Sequence, residues 1–275
     1  MPELPEVEVV MQLIRPHLMD NNFTTIESFV EKLRYPVDVH QSPDLLDSSI
    51  TDVRRYGRYI VVELENLSGF IIHLGMTGQI RVVNSSEPRV RHDHVVLTLS
   101  SGMALHFNCV RKFGYITTFK LDEPGSLPDG LPELGPEPLT EMFSAEYLLF
   151  VCQKKRVAIK SLIMDNAVVV GVGNIYSAES LFDAGIHPKS PANTLLKDQV
   201  ETLTVSIKKI LASSIARGLE FNSEIKLPSG TEWKYPVGFS VYGHNGEPCA
   251  MCSSVIEKVT IGGRASFYCP SCQVI

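Results

Sequence analysis

The chain has 275 residues, 44% of them hydrophobic, and a formal net charge of −6 at pH 7. It is long and apolar enough to bury the cores of two or more domains, and no apolar run approaches the ~20 residues that a membrane-spanning helix needs. The net negative charge argues mildly against a nucleic-acid-binding protein, because such proteins tend to be basic.

The first eight residues, MPELPEVE, carry potentially reactive groups. If Met1 is removed, Pro2 has a free secondary amine, whose pKa of about 8 leaves an appreciable fraction unprotonated at neutral pH. Such an amine can attack a carbonyl-like carbon and hold it as an iminium, and Glu3 could move protons beside it. The alternative is an ordinary helix start, with Pro5 in the first turn and Glu6 near the positive helix end. Taken alone, the motif favours this alternative.

An amphipathic helix and a set of short strands are predicted next. Apolar residues recur at helical spacing from Glu6 to about Arg15, and Pro16 is expected to end or kink this helix. Runs rich in β-branched and aromatic residues then predict strands, with a hairpin turn at residues 100–102. The predicted strands are 58–65, 69–74, 94–99, 103–108 and 115–119. Together they predict a β-sandwich domain over residues 1–121.

The second half of the chain changes character. Residues 122–140 are rich in proline and glycine and predict a linker. Residues 141–237 show helical periodicity, clearest between Val200 and Leu211, and a short β segment is expected from about Phe239. The last predicted domain is residues 238–275. The fold class is therefore predicted to be α+β with several domains: a β-sandwich with flanking helices, a helical domain and a small C-terminal β-hairpin.

Four cysteines near the end of the chain form the pattern C-x2-C-x16-C-x2-C; they are Cys249, Cys252, Cys269 and Cys272. This spacing falls within that of four-cysteine zinc sites, and the glycine pair 262–263 suits a hairpin tip between the two cysteine pairs. The alternative is two disulfides, but the N-terminus shows no apolar signal segment, which predicts a cytosolic protein. One Zn²⁺ is predicted, and it is assigned a structural role because four cysteines leave no open coordination position.

Two further patterns carry less information. Basic residues cluster at 54–58, 89–91, 111–112 and 154–160. Such clusters are most often solvated surface, so they support phosphate binding only weakly. His92 and His94 form a His-x-His pattern on a predicted strand, which could serve a metal. They are assigned a structural role instead, because no third ligand is suggested nearby.

Motifs along the whole chain occur together and in order. They are PELPEVE at the N-terminus, HLGMTG at 73–78, RKFG at 111–114, LGPEP at 134–138, MDN at 164–166, GVGNIY at 171–176 and the cysteine module. In this combination the chain resembles the bacterial formamidopyrimidine-DNA glycosylases, also called 8-oxoguanine DNA glycosylases, from residue 1 to about 273. Leu4 favours this branch over the related endonuclease VIII branch, which usually has glycine there.

The resemblance implies a base-excision-repair enzyme that removes oxidised purines from double-stranded DNA and then cuts the strand by β- and δ-elimination. In that family the terminal proline, here Pro2, attacks the sugar C1′ of a flipped-out nucleotide and forms a Schiff base. Glu3 matches the proton-transfer residue and Glu6 a supporting carboxylate. Arg58 stands where the family usually has a lysine that contacts phosphate near the active site. Flipping is physically reasonable, because C1′ is shielded while the base stays stacked.

The resemblance also implies a set of DNA-binding residues. Met76, Arg111 and Phe113 match the residues that fill the gap left by the flipped base, with Phe113 as the wedge and Arg111 on the orphaned partner base. Without the family context, Met76 and Phe113 would be read as core residues.

Asn174 follows a glycine pair and would begin a phosphate-binding helix of the family's helix–two-turn–helix element. Arg264 on the hairpin of the zinc finger matches an arginine that contacts backbone phosphate, and Lys160 matches a lysine near the lesion pocket. His73 and Tyr242 lie within family motifs and complete the predicted DNA-binding set.

The sequence departs from the family pattern at further positions. Cys109-Val110 stands where Asp-Pro or Asp-Val usually precedes the inserting arginine, so a carboxylate that could brace this loop is missing. The segment 219–222 replaces the Gly-Gly and Ser/Thr that usually begin a loop closing over the oxidised purine. This weakens the case for 8-oxoguanine more than the case for glycosylase chemistry. His244 replaces a common arginine or lysine.

Two other functions stay open at this point. One is a damage-binding paralogue without efficient excision, and the other is an endonuclease VIII-like preference for oxidised pyrimidines. The predicted partner is double-stranded DNA with oxidised bases or abasic sites, and no membrane association is expected. The protein is predicted to be a monomer in the cytoplasm of a bacterium, associated with the nucleoid.

Overall fold

A computed structural model of the chain describes residues 2–222 and 238–274. The described residues form two compact units, one built from residues 2–132 with 218–222 and the other from residues 133–217 with 238–274. Met1, whose removal the proline hypothesis requires, lies outside the described residues, as does the segment after Asn222. The domain boundaries predicted after residues 121, 140 and 237 stay predictions.

The first unit begins with helix α1 (Leu4–Leu18), and its start is fixed by a capping box. The backbone N–H of Glu3 donates to the Glu6 carboxylate at 2.8 Å, and the Glu3 side chain accepts the backbone N–H of Glu6. This reciprocal pair satisfies N–H groups that have no partner within the helix.

Pro16 is expected to end or kink α1, and it does not end the helix, which continues to Leu18. A proline removes one backbone N–H and its ring crowds the carbonyl four residues earlier. Here it falls in the last turn, where the cost is confined to a single hydrogen bond. Met19 N–H still donates to Arg15 O at 3.0 Å and closes that turn.

Eight strands follow α1 and form two four-stranded antiparallel sheets, with the orders β1-β6-β7-β5 and β2-β3-β4-β8. The strands are β1 (Phe23–Ser28), β2 (Ile50–Tyr56), β3 (Tyr59–Leu64), β4 (Ser68–His73), β5 (Gly78–Asn84), β6 (Asp93–Leu99), β7 (Met103–Cys109) and β8 (Tyr115–Lys120). Apolar side chains of both sheets and of one face of α1 form one continuous buried cluster. The predicted β-sandwich is confirmed, although β1, β2 and β5 were not predicted.

A charged network is buried between β5, β6 and β7. Asp93 is fully buried; its carboxylate accepts hydrogen bonds from Arg81, from His106 Nδ1 at 2.9 Å and from Asn108 Nδ2 at 2.8 Å. Burial alone would raise the pKa of Asp93, but these bonds and one from Val90 N–H hold it well below its usual range.

We expect Asp93→Asn to lower the free energy of unfolding by about 3–5 kcal/mol, because it leaves the Arg81 charge buried without its partner. Asp52→Asn is the matched control: Asp52 also pairs with two arginines, but it is 34% exposed, so its loss should cost about 1 kcal/mol or less. Urea unfolding measures both variants. Equal losses of stability in the two variants would contradict the assignment of Asp93 as the buried partner of Arg81.

The stabilisation by Asp93 should also depend on pH. Since the pKa of Asp93 is depressed on folding, its contribution to the free energy of unfolding is complete above about pH 4 and declines as the pH falls below that.

The second unit is mainly helical. Its helices are α2 (Ala145–Gln153), α3 (Ile159–Ile163), α4 (Asn174–Asp183) and α5 (Lys197–Asn222). Apolar side chains from all four helices form the buried core of this unit. Within residues 2–222 and 238–274, none of the helices is both long and apolar enough to cross a membrane.

The C-terminal hairpin consists of β9 (Glu257–Ile261) and β10 (Arg264–Tyr268), with the glycine pair 262–263 in left-handed conformation at its tip. The predicted strand from about Phe239 is wrong, because the described residues 238–256 contain no strand of a sheet. The reason is a side chain: Glu179 accepts the backbone N–H groups of Ser240, Val241 and Tyr242 at 2.8–3.0 Å. These N–H groups therefore cannot form the backbone hydrogen bonds of a β-sheet.

Candidate functional site

The candidate catalytic residues lie at the start of α1. Pro2 is half-buried and directly precedes Glu3, and the side chains of Glu3 and Glu6 are buried. The capping box orients both carboxylates within the first helical turn after Pro2. The two interpretations of the N-terminal motif are therefore compatible: the segment is a well-capped helix start, and it also holds two carboxylates within four residues of the predicted nucleophile.

Helix α1 is tied to the turn that carries Arg58. Glu8 accepts a hydrogen bond from Arg55 Nε at 2.6 Å, and Arg55 Nη1 donates to Gly57 O at 3.0 Å. Gly57 lies in the β2–β3 turn with φ 59°, a conformation that favours glycine. Arg58 follows it directly and is half-buried. The ion pair thus ties α1 to the β2–β3 turn.

His73, at the end of β4, is held as a neutral side chain. Its ring stacks on Tyr115 with centroids 5.3 Å apart, and its Nδ1 accepts the Gly75 N–H at 3.1 Å. Burial, together with the positive charges of Arg58 and Arg34, lowers the pKa of His73 to about 4. The neutral ring therefore carries its proton on Nε2, which is a donor suited to a phosphate or carbonyl oxygen.

We expect the His73 ring to stay neutral down to about pH 4 in the folded protein. In urea the midpoint should return to about 6.5. Because the unfolded chain takes up this proton first, His73 should lower stability as the pH falls from about 6.5 to about 4. NMR titration of the ring carbons measures the midpoint; a folded-state midpoint above 6 would contradict the buried, neutral assignment.

Two tight turns carry the predicted gap-filling residues, and we call residues 74–78 and 109–114 the insertion turns. Met76 and Phe113 are 41% and 45% exposed, which is unusual for such large apolar side chains. The Arg111 guanidinium lies over the Phe113 ring, 4.9 Å from its centroid. Lys112 between them has φ 53°, a left-handed conformation that non-glycine residues rarely adopt. Both apolar side chains are thus presented to solvent rather than packed in the core.

Arg34 is a candidate that the sequence analysis missed. Its backbone N–H donates to Gly114 O at 3.2 Å, which ties it to the second insertion turn. An open cavity of about 620 Å³ is lined by Leu33, Arg34, Arg111, Lys112 and Phe113. The signal in the sequence is the pair of basic residues Lys32 and Arg34 followed by Tyr35, a pairing of cation and aromatic residue that suits nucleic acid.

In the second unit, Lys160 positions other residues. It is fully buried, and its Nζ donates to Asn174 Oδ1 and Ser266 Oγ at 2.8 Å and to Ala265 O at 3.3 Å. One ammonium group therefore joins α3, the start of α4 and strand β10. The sequence predicts a lysine near the lesion pocket, whereas in this unit its head group is enclosed by protein.

Asn174 is the first residue of α4, and Gly173 is its N-cap. Because Asn174 Oδ1 accepts from Lys160, its amide is oriented with Nδ2 towards the Tyr242 hydroxyl, 3.5 Å away. The helix start therefore presents backbone N–H groups and an oriented amide, as phosphate binding requires. Arg264 is exposed at the tip of the hairpin.

The four cysteines form a metal site. Their sulfur atoms all lie within 4.8 Å of one another, with 4.0 Å between Cys249 and Cys272 and 3.4 Å between Cys252 and Cys269. A tetrahedral Zn²⁺ about 2.3 Å from each thiolate requires sulfur–sulfur separations of roughly 3.8 Å, whereas a disulfide requires about 2.05 Å. The donor set fits one zinc ion, and the predicted structural zinc is confirmed.

The His-x-His pattern does not form a comparable group. His92 precedes β6 with φ 73° instead of lying on the strand, and the His94 ring is hydrogen-bonded to Cys109 O at 3.2 Å. In the part of the chain that the structure describes, the four cysteines are the only cluster of three or more potential metal ligands.

Comparison with known families accounts for almost the whole chain. Residues 1–116 match the model of the formamidopyrimidine-DNA glycosylase N-terminal domain, and residues 134–224 match that of the formamidopyrimidine-DNA glycosylase H2TH domain. Residues 246–274 match a zinc finger found in FPG and IleRS. The chain belongs to the formamidopyrimidine-DNA glycosylase family. The resemblance drawn from the motifs is thereby confirmed.

Curated members of the family are similar over their full length. The formamidopyrimidine-DNA glycosylase of Legionella pneumophila (strain Paris) is 42% identical over 276 residues, covering 100% of this chain and 99% of the relative. That of Shewanella halifaxensis is 40% identical over 273 residues, covering 99% of both chains.

Solved structures of formamidopyrimidine-DNA glycosylases share the fold. Lactococcus lactis Fpg, non-covalently bound to DNA containing an AP site, has a TM-score of 0.84 at 29% identity, covering 99% of this chain and 100% of that one. MutM in complex with DNA containing carbocyclic 8-oxo-G has a TM-score of 0.85 at 32% identity, with both chains covered fully. Another complex of the Lactococcus lactis protein contains an oxidised pyrimidine, with a TM-score of 0.84 at 29% identity and full coverage of both chains.

Proposed function

We propose that this protein removes oxidised purines from double-stranded DNA and cleaves the resulting abasic strand by β,δ-elimination, with Pro2 as the nucleophile. The relatives named formamidopyrimidine-DNA glycosylase and the lesions bound by Fpg and MutM support the substrate class. The observation that carries the catalytic assignment is the position of Pro2, immediately before a helix start where the buried carboxylates of Glu3 and Glu6 are held in a capping box.

In this mechanism the lone pair of the Pro2 nitrogen forms a bond to C1′, and the electron pair of the glycosidic bond leaves with the base. Glu3 transfers protons as the sugar opens and the iminium forms. Proton transfer of this kind requires a carboxylate in fixed orientation, and the hydrogen bonds between Glu3 and Glu6 supply it.

The DNA-binding residues are assigned to three groups of contacts. His73, Arg58 and Arg34 supply cationic or N–H donors for phosphate beside the aromatic stack of the first unit. The insertion turns present the wedge Phe113 and the gap-filling Met76. In the second unit, the donors for the DNA backbone are Asn174, Tyr242 and Arg264. Lys160 orients Asn174, which in turn contacts Tyr242.

Oxidised pyrimidines are a second candidate substrate. The reason is that α5 continues as a helix through residues 219–222, where the family usually begins the loop that closes over an oxidised purine. The rest of that segment lies outside the described residues. Matched duplexes that differ only in the lesion, 8-oxoguanine or an oxidised pyrimidine, separate the two substrates by their single-turnover excision rates.

Borohydride trapping tests the nucleophile. Protein whose mass shows that Met1 has been removed is incubated with lesion-containing duplex and borohydride; a covalent adduct is expected. The adduct should decrease in Pro2→Gly, which replaces the secondary amine by a primary amine, and it should be lost in protein that retains Met1, because the Pro2 nitrogen is then an amide. The Pro5→Ala variant is the control, because Pro5 lies in the first turn of α1 and has no free amine. Tight binding by the parent protein without any adduct would favour the damage-binding paralogue.

The substrate also bears on location and assembly. An enzyme for chromosomal lesions works on the nucleoid, and we propose that the protein acts in the cytoplasm as a nucleoid-associated monomer. Fluorescence imaging of a tagged protein and sedimentation of the pure protein test the two statements.

A further inference from the structure

The second insertion turn closes on one buried sulfur. Cys109 is fully buried at the end of β7, and its Sγ accepts the backbone N–H of Gly114 at 3.4 Å. Its carbonyl accepts the backbone N–H of Lys112 at 3.1 Å. Burial raises the pKa of the Cys109 thiol, opposed by hydrogen bonds from the N–H groups of Gly114, Lys112 and Phe113. The thiol is therefore neutral at physiological pH and serves as an acceptor for the second turn.

Thr77 connects the first insertion turn to the inserting arginine. Its hydroxyl oxygen accepts the backbone N–H of Arg111 at 3.1 Å, and its side chain also lowers the pKa of the Cys109 thiol. Thr77 follows the gap-filling Met76 directly in the first turn. One hydroxyl thus joins the turn that carries Met76 to the turn that carries Arg111.

The turns touch through their backbones, without side chains between them. Gly75 has φ 64°, and a Cβ at this position would lie 2.4 Å from both Gly114 N and the Phe113 carbonyl carbon. No side chain can therefore interdigitate here. The pairs His73–Tyr115 and Gly78–Cys109 anchor the ends of both turns in the sheets. Between these ends, the turns are held together by backbone contact and by the hydrogen bond from Arg111 N–H to Thr77.

We propose that Thr77 and Cys109 are positioning residues that form a clasp: Thr77 joins the two insertion turns, and the buried Cys109 sulfur closes the second of them. The clasp holds Met76, Arg111 and Phe113 in a fixed mutual arrangement before DNA is bound, so that insertion requires little reordering. The thiol takes the place of the carboxylate that the family usually has at residue 109. The inference rests on the proposed function, because it concerns how the wedge of that enzyme is held.

Thr77→Val removes the hydroxyl and keeps the shape of the side chain. Thr77→Ser is the conservative control, because it keeps the hydroxyl. Losing a hydrogen bond of about 1 kcal/mol should slow single-turnover excision from lesion duplex roughly fivefold to tenfold. Borohydride trapping on a single-stranded abasic oligonucleotide needs no wedge and should change less than about twofold. The fluorescence of 2-aminopurine placed beside the lesion should report slower insertion in Thr77→Val and normal insertion in Thr77→Ser.

Cys109→Ala tests the sulfur in the same assays. If both residues form one clasp, the double variant should be little worse than either single variant, because the effects of coupled groups do not add. Three results would each overturn the proposal. They are equal losses of activity on duplex and on single-stranded substrate, additive losses of excision rate in the double variant, and normal insertion kinetics in Thr77→Val. A parent protein without any lyase activity would contradict the proposed function instead, and the 2-aminopurine signal would still decide whether the clasp governs insertion.

Discussion

Excision of an oxidised purine is expected to fall by roughly 10²- to 10⁴-fold when Glu3 is replaced by glutamine, the range over which a positioned acid or base usually acts. Glutamine keeps an oxygen that can accept the Glu6 N–H, so the capping box and the start of α1 should persist. The change therefore removes the proton-transfer group and leaves its support in place. Single-turnover excision from a lesion duplex measures the effect.

Glu8→Gln supplies a crossed control for this variant. Glu8 lies on the same helix, but its carboxylate is paired with Arg55 at 2.6 Å. We expect Glu8→Gln to lower the midpoint of thermal unfolding while excision stays within about threefold of the parent. Glu3→Gln should instead lose excision while its unfolding midpoint stays close to that of the parent. Glu3 would lose its catalytic assignment if both variants lost activity in proportion to their loss of stability.

Loss of zinc is expected to have the second large effect. Binding of a structural zinc contributes about 10–16 kcal/mol in small zinc-finger peptides, so the hairpin should not stay folded without it. The hairpin supplies Ala265 and Ser266 as acceptors for the buried Lys160 and carries Arg264. We expect Cys249→Ser to lose the bound zinc, to expose Lys160 and to weaken binding of lesion duplex by at least roughly tenfold.

Elemental analysis and duplex titration measure these outcomes together. Cys152→Ser is the matched control, since Cys152 is also buried but lies in α2, apart from the four-cysteine cluster. It should retain one zinc per chain and near-normal affinity. A Cys249→Ser protein that keeps its zinc, or a zinc-free protein that binds duplex normally, would contradict the structural role.

The strands that could be predicted from the sequence are those with continuous apolar runs. Strands β3 and β4 are buried along almost their whole length, and their pattern shows it. Strands β1 and β2 were missed because each buries few side chains and carries polar or charged residues on the rest. For β2, Arg55 finds its partner Glu8 far away in sequence, on α1, and no local pattern reveals this pair.

The candidate site could also be predicted only in part from the sequence. Motif spacing identifies the cysteines and the start of α4, because ligand geometry and helix starts are local properties. The tertiary partners of individual side chains could not be predicted. The burial of Lys160 depends on a hairpin about a hundred residues away, and the thiol at Cys109 becomes an acceptor only when the chain turns back at Gly114. At residue 109 the sequence lacks the carboxylate that the family usually has, and in the folded protein the Cys109 sulfur serves as the acceptor instead.

The conformation of Lys112 has a consequence for the stability of the second insertion turn. With φ 53°, this position would be occupied more easily by glycine or asparagine than by lysine. The chain instead places a long cation between Arg111 and Phe113, at a cost in backbone energy. Lys112→Gly should accordingly relax the backbone and make the free protein more heat-resistant, while its attraction for polyanions declines. At this residue the protein carries a positive charge at the expense of conformational ease.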